Sequence, residues 1–263
     1  SPINHTEPAA SSLATMASID AAGLAGLDAV WTGGADCPEA IRWAFAAKFG
    51  RPVLATYGLS EAPTVVAIDR RDGADHRPGA SGRPLPHLRV RIAGDDGTAL
   101  GPGETGQICL AAADDRYRPM LGYWERPEAT AAALVDGELR TGDVGFLDDD
   151  GFLHVRDRLS LLIIRGGANV YPAEVERVFA TFPGVVASAV VGVPDERLGE
   201  RVAALVEPAA GVELDLDAVR EHLTANLAKY KVPERIVVVE AFPRNAMGKI
   251  VRTELAALLD PPV

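Results

Sequence analysis

Cysteine is scarce in this chain, and no apolar run has the length of a membrane helix. Only Cys37 and Cys109 occur among 263 residues, which is too few for a disulfide framework or a four-thiolate metal site. The longest apolar stretch, Val185–Val193, contains Ser188 and Gly192 and falls far short of the roughly 20 residues that a membrane span needs. We therefore expect a soluble protein of the reducing cytoplasm, with no membrane partner.

Basic residues are outnumbered by acidic ones. Lys and Arg total 26 against 37 Asp and Glu, which gives a net charge of −11. Because such a chain repels the phosphate backbone of nucleic acids, we expect no nucleic-acid partner. The remaining composition, 48% hydrophobic and 24% charged, is typical of a folded globular protein.

The hydrophobic pattern predicts one helix and two strands in the first third of the chain. Apolar residues at four-residue spacing predict a helix over Cys37–Phe49. Short β-branched runs then predict strands over Pro52–Tyr57 and Thr64–Ile68, joined by a loop over Gly58–Pro63. That loop is a place where functional side chains could lie.

The middle of the chain is typical of antiparallel β structure. Leu88–Ala93 alternates apolar residues with arginine, and a matching run returns at Gln107–Ala111. Phe146–Leu147 and Phe152–Val155 flank the turn sequence Asp-Asp-Asp-Gly. A short helix is predicted over Glu128–Val135, which follows a proline.

After Arg158 the pattern changes to alternating strands and helices. The predicted strands are Leu161–Ile164, Val185–Val193, Val202–Glu207 and Arg235–Glu240, and the predicted helices are Ala173–Phe182 and Leu216–Leu227. We therefore place a domain boundary near residues 157–160.

Two polar segments carry side chains suited to nucleotide chemistry. Tyr57-Gly58-Leu59-Ser60-Glu61 offers an aromatic ring for a base, a hydroxyl for a phosphate and a carboxylate for a hard cation. Asp143 follows Thr141-Gly142, and its two oxygens suit the vicinal hydroxyls of a ribose. Taken singly, a polar loop at a strand end explains the first segment, and an Asx-type turn explains the second.

Glycine-rich and lysine-containing segments follow. Gly101–Gly106 matches GxGxxG but precedes a strand instead of a helix, so we interpret it as a turn. Gly166 and Gly167 precede a helix that starts with proline; good helix-start chemistry explains the proline but not the double glycine. Lys249 lies in a turn-rich loop, where an ordinary lysine is a solvated charge.

Taken together and in this order, the segments resemble the core motifs of the adenylate-forming superfamily, which includes acyl-CoA synthetases and the adenylation domains of peptide synthetases. The match runs from about residue 24 to the end. Seven segments carry it: WTGGADCP (31–38), YGLSE (57–61), SGRPLPHLRVRI (81–92), LGYWERPEAT (121–130), ELRTGDVGFLDDDGFLHVRDR (138–158), IIRGGANVYPAEVE (163–176) and PRNAMGKIVR (243–252).

The resemblance implies a mixed α+β fold with two domains. Residues 1–157 would be the C-terminal portion of the large AMP-binding domain, an α/β domain with a β-barrel-like part. Residues 158–263 would be a small, mobile α+β domain that carries the catalytic lysine.

The resemblance also implies a role for each matching residue. On the nucleotide side, it implies a wall of the adenine and acyl pocket at Gly33, Gly34 and Ala35, and packing of the adenine ring at Tyr57 and Gly58. It also implies a phosphate contact at Ser60, Mg²⁺ binding at Glu61, and ribose binding at Asp143 and Arg158. Lys249 would join the reacting carboxylate to the α-phosphate of ATP. Lys249 and Glu61 are thus the catalytic candidates, because an ammonium and a metal cation neutralise the charge that develops when two anions react.

The small domain would carry a hinge and a surface for the thiol. The hinge position falls on Ser160, where the family pattern has an acidic or basic residue, and Asp157 replaces the glycine of that pattern. A serine can still absorb the dihedral change of a hinge. Gly166 and Gly167 would face coenzyme A.

The implied activity is that of an ATP-dependent acid–thiol ligase. It would activate a small-molecule carboxylic acid as an acyl-adenylate and transfer it to coenzyme A, with ATP and Mg²⁺ as the other cofactors. The alternatives are an aryl or amino-acid adenylation enzyme of the peptide-synthetase type, and a truncated nucleotide-binding module without catalysis.

The Ser/Thr/Gly-rich loop that holds the outer phosphates in this family is not found between Ser1 and Trp31. We therefore expect a fragment, the C-terminal half of the family's architecture, which binds ATP poorly and is inactive by itself. The expected protein partner is a companion chain that supplies the other half, or a second copy in a homo-oligomer.

Overall fold

A computed structural model describes residues 26–34, 37, 39–70, 76–246 and 248–259 of the chain. These residues fall into two compact units, 26–160 and 161–259. None of the helices in the described ranges combines the length and the apolar character of a transmembrane helix.

The first unit begins with a four-stranded sheet. Its strands, in spatial order, are β1 (Val30–Thr32), β2 (Val53–Leu59), β3 (Thr64–Ile68) and β4 (Arg83–Pro84), and helix α1 (Glu39–Phe49) connects β1 to β2. β1 and β2 are parallel, whereas the other pairs are antiparallel. Because of this parallel pairing, the carboxyl ends of β1 and β2 lie at the same edge of the sheet, where ligands commonly bind.

A second, five-stranded antiparallel sheet completes the first unit. It contains β5 (Leu88–Ala93), β6 (Gly106–Ala112), β7 (Leu134–Val135), β8 (Glu138–Leu147) and β9 (Leu153–Arg158), and helix α2 (Pro127–Ala133) precedes β7. β5 lies at one edge of this open sheet, and β7 and β9 both pair with the opposite side of β8. This sheet is the β-rich portion that the sequence predicts.

One hydrophobic core joins the two sheets of the first unit. Ile108 and Leu110, two residues apart in β6, point to the same face, and Leu139 of β8 pairs with Leu110. All three are fully buried and pack with Val66 and Ala67 of β3. The unit therefore holds the edge of the first sheet and the strand β8 in a fixed relation.

The second unit is a five-stranded sheet covered on both faces. Its strands are β10 (Ile163–Arg165), β11 (Ala168–Val170), β12 (Val185–Asp195), β13 (Gly199–Pro208) and β14 (Arg235–Val238), and its helices are α3 (Pro172–Phe179), α4 (Leu216–Asn226) and α5 (Ala256–Leu259). The spatial order is β11-β10-β13-β12, and β14 also pairs with β13.

Residues of β13 alternate between the two faces. Val202, Ala204 and Val206 belong to a core that also contains residues of α3 and α4. Ala203 and Leu205 point the other way and pack with Phe242, Leu255 and Leu259 of the C-terminal segment. This period of two is the reason why a continuous apolar run forms a strand that is buried on both sides.

Several predicted boundaries are wrong by a few residues. The helix predicted over Ala173–Phe182 is shorter, Pro172–Phe179, and the one predicted over Glu128–Val135 ends at Ala133, because residues 134–135 pair with β8. The strand predicted to start at Leu161 starts at Ile163, after a 3-10 turn over Leu159–Leu161.

Two strands extend further than the local pattern indicates. β2 continues to Leu59 because Gly58 and Leu59 pair with β3, so the predicted loop over Gly58–Pro63 is shortened. β9 continues to Arg158 because it pairs with β8 as far as Asp143. Both extensions place candidate site residues inside strands.

Candidate active site

Asp143 projects from a bulge inside β8. Residues 141–143 are inserted between the partners of Gln107 and Cys109 in β6, and Gly142 supplies a positive φ of 75°. The Asp143 N–H donates to the Thr141 hydroxyl at 3.0 Å, and that hydroxyl donates to the carbonyl of Ile108 at 2.8 Å. The Asx-type turn considered above is therefore a β-bulge, a feature that re-aims a side chain within a sheet.

The Asp143 carboxylate has two protein partners. The Tyr57 hydroxyl donates to Oδ2 at 2.5 Å, and Nε of Arg158 lies 3.2 Å from Oδ1. Arg158 faces Asp143 because the two residues are paired across β9 and β8. The Asp143 side chain is 8% exposed, whereas that of Arg158 is 65% exposed, so the arginine forms the solvent side of this cluster.

Burial governs the protonation of this cluster. It raises the pKa of Asp143, an effect opposed by the hydrogen bond from Tyr57 and by the charge of Arg158. Burial, and then the charge of Asp143, raises the pKa of the Tyr57 hydroxyl far above its usual value. Tyr57 therefore remains a protonated donor, and Asp143 is the acceptor.

Glycines at the end of β1 permit a close approach to β2. A Cβ atom on Gly33 would lie 2.7 Å from the carbonyl oxygen of Thr56, and Gly34 has a φ of +78°. Both glycines are exposed, at the same sheet edge as Tyr57 and Gly58. Ala35, which the resemblance places beside them, lies outside the described residues.

Ser60 and Glu61 follow β2 directly. Ser60 is exposed and Glu61 is half-buried. The Tyr123 hydroxyl donates to Glu61 Oε1 at 2.9 Å, and the N–H of Met120 donates to the Glu61 carbonyl at 2.9 Å. Burial, followed by the bond to Glu61, raises the pKa of Tyr123.

Tyr123 is a residue to which the sequence reasoning assigned no role. It lies within the segment LGYWERPEAT, which matched the family as a whole without pointing to Glu61. Its neighbours Leu121 and Trp124 are 97% and 87% exposed. The signal available in the sequence was a tyrosine next to large apolar residues in the polar segment LGYWERPEAT.

The double glycine forms a tight turn in the second unit. Gly166 and Gly167 connect β10 to β11 with φ values of 59° and 84°, and Arg165 pairs with Ala168 across the turn. Two consecutive positive φ angles in a two-residue hairpin strongly favour glycine. The geometry of this hairpin therefore explains the double glycine, which the start of the following helix does not explain.

Lys249 and Ser160 are both exposed. Lys249 lies in the second unit, in a loop where Gly248 has a φ of +78° and the Lys249 N–H donates to Asn245 Oδ1 at 3.0 Å. Ser160 lies in the 3-10 turn Leu159–Leu161, at the last residue of the first unit. Tyr57, Asp143 and Arg158 are thus in contact within the first unit, while Lys249, Gly166 and Gly167 belong to the second.

Family models match both units. The model for AMP-binding enzymes matches residues 4–124, and the model for the C-terminal domain of AMP-binding enzymes matches residues 174–249. The chain belongs to the adenylate-forming superfamily. The AMP-dependent ligases of this superfamily, with the acyl-CoA synthetases among them, are the group that the sequence motifs predicted.

Individual adenylate-forming proteins are similar over most of the chain. A feruloyl-CoA synthase from Amycolatopsis is 41% identical over 235 residues, which cover 89% of this chain and 47% of the relative. An amide bond synthetase from Marinactinospora thermotolerans has a TM-score of 0.81 at 36% identity, with 94% of this chain and 51% of that chain covered.

The o-succinylbenzoate CoA synthetase of Bacillus subtilis, solved with its acyl-adenylate intermediate, has a TM-score of 0.77 at 33% identity and covers 86% of this chain and 45% of its own. The same enzyme has been solved with ATP and a magnesium ion. The chain spans about half the length of the curated relatives it matches.

Proposed function

We propose that this chain provides the ribose-binding and catalytic-lysine portions of an ATP-dependent acid–thiol ligase. The observation that carries the proposal is the buried Asp143 carboxylate, which Tyr57 and Arg158 hold at the bulge in β8, in a chain of this family. The enzyme would convert a carboxylic acid and ATP to an acyl-adenylate, and then transfer the acyl group to coenzyme A.

Asp143 would accept hydrogen bonds from both ribose hydroxyls. Its two oxygens already lie at fixed positions, because Tyr57 holds one and Arg158 approaches the other, and each oxygen retains a further lone pair. A carboxylate fixed in this way loses little rotational freedom when a nucleotide binds. The Tyr57 ring would pack on adenine, with Gly58, Gly33, Gly34 and Ala35 around it.

The first half-reaction forms one bond and breaks one. A carboxylate oxygen of the acid attacks the α-phosphorus of ATP, and the bond from that phosphorus to the pyrophosphate oxygen breaks. Negative charge increases around the reacting phosphate, where the Lys249 ammonium would stabilise it electrostatically. Ser60 would donate a hydrogen bond to a phosphate oxygen.

Glu61 is suited to hold Mg²⁺ together with the phosphates. The described residues contain no group of three or more side chains that could hold a metal alone. Mg²⁺ usually binds through one or two carboxylates and substrate phosphates, so a single oriented carboxylate fits this ion. When bound, the ion would neutralise phosphate charge, and Tyr123 would keep Glu61 in place.

The second half-reaction transfers the acyl group. The thiol sulfur of coenzyme A attacks the acyl carbonyl carbon, the bond to the AMP oxygen breaks, and the thiol proton is released to solvent. The hairpin at Gly166 and Gly167 would face this thiol because glycine allows a close backbone approach. Ser160 would serve as the hinge between the two half-reactions.

A second candidate function differs only in the acceptor. The amide bond synthetase matches this chain over a larger share than the CoA ligase structures reported above. In this version an amine nitrogen, instead of sulfur, attacks the acyl carbonyl and AMP leaves as before. Residues that bind the nucleotide would keep the same roles.

The proposal is tested by acid-dependent exchange of labelled pyrophosphate into ATP, in the enzyme that contains this chain. Aromatic and aliphatic acids are screened first, and the active acid is then offered coenzyme A or an amine. Exchange that depends on an acid, followed by thioester formation, is the expected result. AMP binding without exchange for any acid would favour the non-catalytic module instead.

A separate measurement addresses the chain by itself. We expect the isolated chain to bind AMP more tightly than ATP, because the outer phosphates of ATP would find no phosphate-binding loop in this sequence. Calorimetric titration with both nucleotides checks this expectation, and equal affinities would contradict it.

A further inference from the structure

The loop that carries Lys249 has a braced backbone. This lysine loop, residues 243–246 and 248–250, is closed by a β-bridge between Arg244 and Ile250. The Asn245 N–H donates to the Lys249 carbonyl at 2.9 Å, and the Val251 N–H donates to the Pro243 carbonyl at 2.8 Å. These local bonds define the shape of the loop, but they do not define its direction relative to the sheet.

Arg252 connects the end of the lysine loop to two other elements. Its Nη2 donates to both carboxylate oxygens of Glu176 in α3, at 2.8 and 3.0 Å. Its Nη1 donates to the carbonyl of Val190 in β12 at 3.0 Å, and Glu176 accepts from the Val190 N–H at 2.8 Å. The guanidinium fork therefore has a fixed orientation, three residues after Lys249.

Arg244 makes an equivalent connection at the start of the loop. Its Nη2 lies 3.2 Å from Glu207 Oε2, on β13, and its Nη1 donates to the Gly248 carbonyl at 3.1 Å. Glu207 also accepts from the N–H of Phe242 at 3.2 Å. The lysine loop is therefore held by one arginine–carboxylate pair on each side, to β13 through Glu207 and to α3 through Glu176.

Hydrophobic contacts already attach this segment to the unit. Phe242, Leu255 and Leu259 are buried against the sheet, and Ile250 packs beside them. The two ion pairs are partly exposed, and such pairs contribute little to overall stability. Their charged, directional hydrogen bonds are better suited to fixing orientation.

We propose that Arg252 and Arg244 are positioning residues that orient the lysine loop, and through it Lys249, for adenylate formation. This inference rests on the proposed function. Because the side chain of an exposed lysine is long and flexible, the backbone of the lysine loop must fix the direction in which Lys249 points. A misplacement of about 1 Å in such a group can reduce a rate about 100-fold.

The test compares two half-reactions in the enzyme that contains this chain. Arg252→Gln removes the charge and the fork, while Arg252→Lys keeps the charge and loses the bidentate geometry. We expect Arg252→Gln to lower acid-dependent pyrophosphate exchange about 100-fold. Acyl transfer from a supplied acyl-adenylate to the acceptor should change less than about threefold, because that step does not use Lys249.

The matched control is the pair formed by Lys231 and Glu174 in the same unit. Lys231 Nζ lies 2.7 Å from both oxygens of Glu174, with exposure similar to that of the Arg252 pair. Lys231→Gln should leave both half-reactions near their original rates. The pyrophosphate exchange rate of Arg252→Lys should lie between the rates of Arg252→Gln and the unmodified enzyme. Variants that had merely misfolded would not show this order.

Hydrogen exchange gives a readout that is independent of activity. In the chain itself, Arg252→Gln should speed amide exchange in peptides that cover residues 244–251, and Lys231→Gln should not. Equal losses in both half-reactions, unchanged pyrophosphate exchange, or unchanged amide exchange in this loop would each overturn the inference. No exchange in the unmodified enzyme would overturn the proposed function instead, and the amide measurement would still decide whether Arg252 holds the loop.

Discussion

The proposed ribose contact of Asp143 makes a quantitative prediction. If its carboxylate accepts both ribose hydroxyls, 2′,3′-dideoxy-AMP should bind more weakly than AMP. A hydrogen bond to a charged group contributes about 1.5–3 kcal/mol. Because Tyr57 and Arg158 already bond this carboxylate in the absence of nucleotide, we take the lower value for each bond. Two bonds then give about 3 kcal/mol, or roughly 150-fold in affinity.

The decisive variant is Asp143→Ala, measured by calorimetric titration of the chain with both nucleotides. It should lose about 150-fold in affinity for AMP and show almost no further loss for the dideoxy analogue. The combination of the variant with the dideoxy nucleotide forms a double-mutant cycle, which separates the contact between Asp143 and the ribose hydroxyls from general effects on the fold.

Asp69 provides the matched control. It is the other buried acidic residue among those described, at 2% exposed, and its carboxylate accepts from the Ala55 N–H at 2.9 Å. Asp69→Ala should destabilise the unit while AMP remains preferred over the dideoxy analogue by the original ratio. If Asp143→Ala retains the full preference for AMP, the assignment of Asp143 to the ribose is refuted.

Four further predictions follow from the same structure. Lys249→Ala should abolish acid-dependent pyrophosphate exchange and leave the thermal midpoint nearly unchanged, because the side chain is exposed. Tyr57→Phe keeps the ring and removes the donor to Asp143, so AMP affinity should fall up to about tenfold. AMP affinity should also fall in acid, as pH drops through the pKa of Asp143, which burial raises above that of an ordinary aspartate. The folding stability depends on pH in the opposite direction. Because the pKa of Asp143 is higher in the folded chain than in the unfolded chain, this group stabilises the fold at a pH below its unfolded pKa, and the contribution is lost as pH rises through its folded pKa. Gly82→Ala should cost more than about 2 kcal/mol of unfolding free energy, since Gly82 has a φ of +93° and a Cβ there would lie 2.1 Å from the Ile68 carbonyl carbon.

Each of these predictions has a control variant or an outcome that would contradict it. Retained exchange in Lys249→Ala would count against its role. In Tyr57→Phe the pH midpoint of AMP binding should move upward, because the tyrosine hydrogen bond lowers the Asp143 pKa; an unmoved midpoint would show that the bond is not made in solution. Asp143→Asn should lose the acid limb of the pH profile. Gly97→Ala has a similar φ of +81° with open space around the added Cβ, so a loss as large as that of Gly82→Ala would contradict the steric argument.

Most of the element order was predictable from local patterns. Strands β3 and β5 have the predicted bounds, and the helix predicted over Cys37–Phe49 is described from Glu39 onward. The errors occur where one element pairs with another. Gly58, Leu59 and Arg158 were predicted outside strands and lie inside β2 and β9, because their backbones pair with the neighbouring strands β3 and β8.

The sequence by itself determined the family of this protein and the chemistry available to it, since the order and spacing of short motifs are properties of the chain alone. It did not explain the double glycine at Gly166 and Gly167, whose positive φ angles belong to the hairpin between β10 and β11. Only the tertiary structure decided which side chains meet: Tyr57 reaches Asp143 across 86 residues of chain, and Tyr123 reaches Glu61 across 62. Hydrophobic periodicity specifies which face of a strand is buried and so excludes a register slip of one residue, but it contains no information about which strand pairs with which. Those pairings are set by the packing of the whole unit, and they bring the candidate site together.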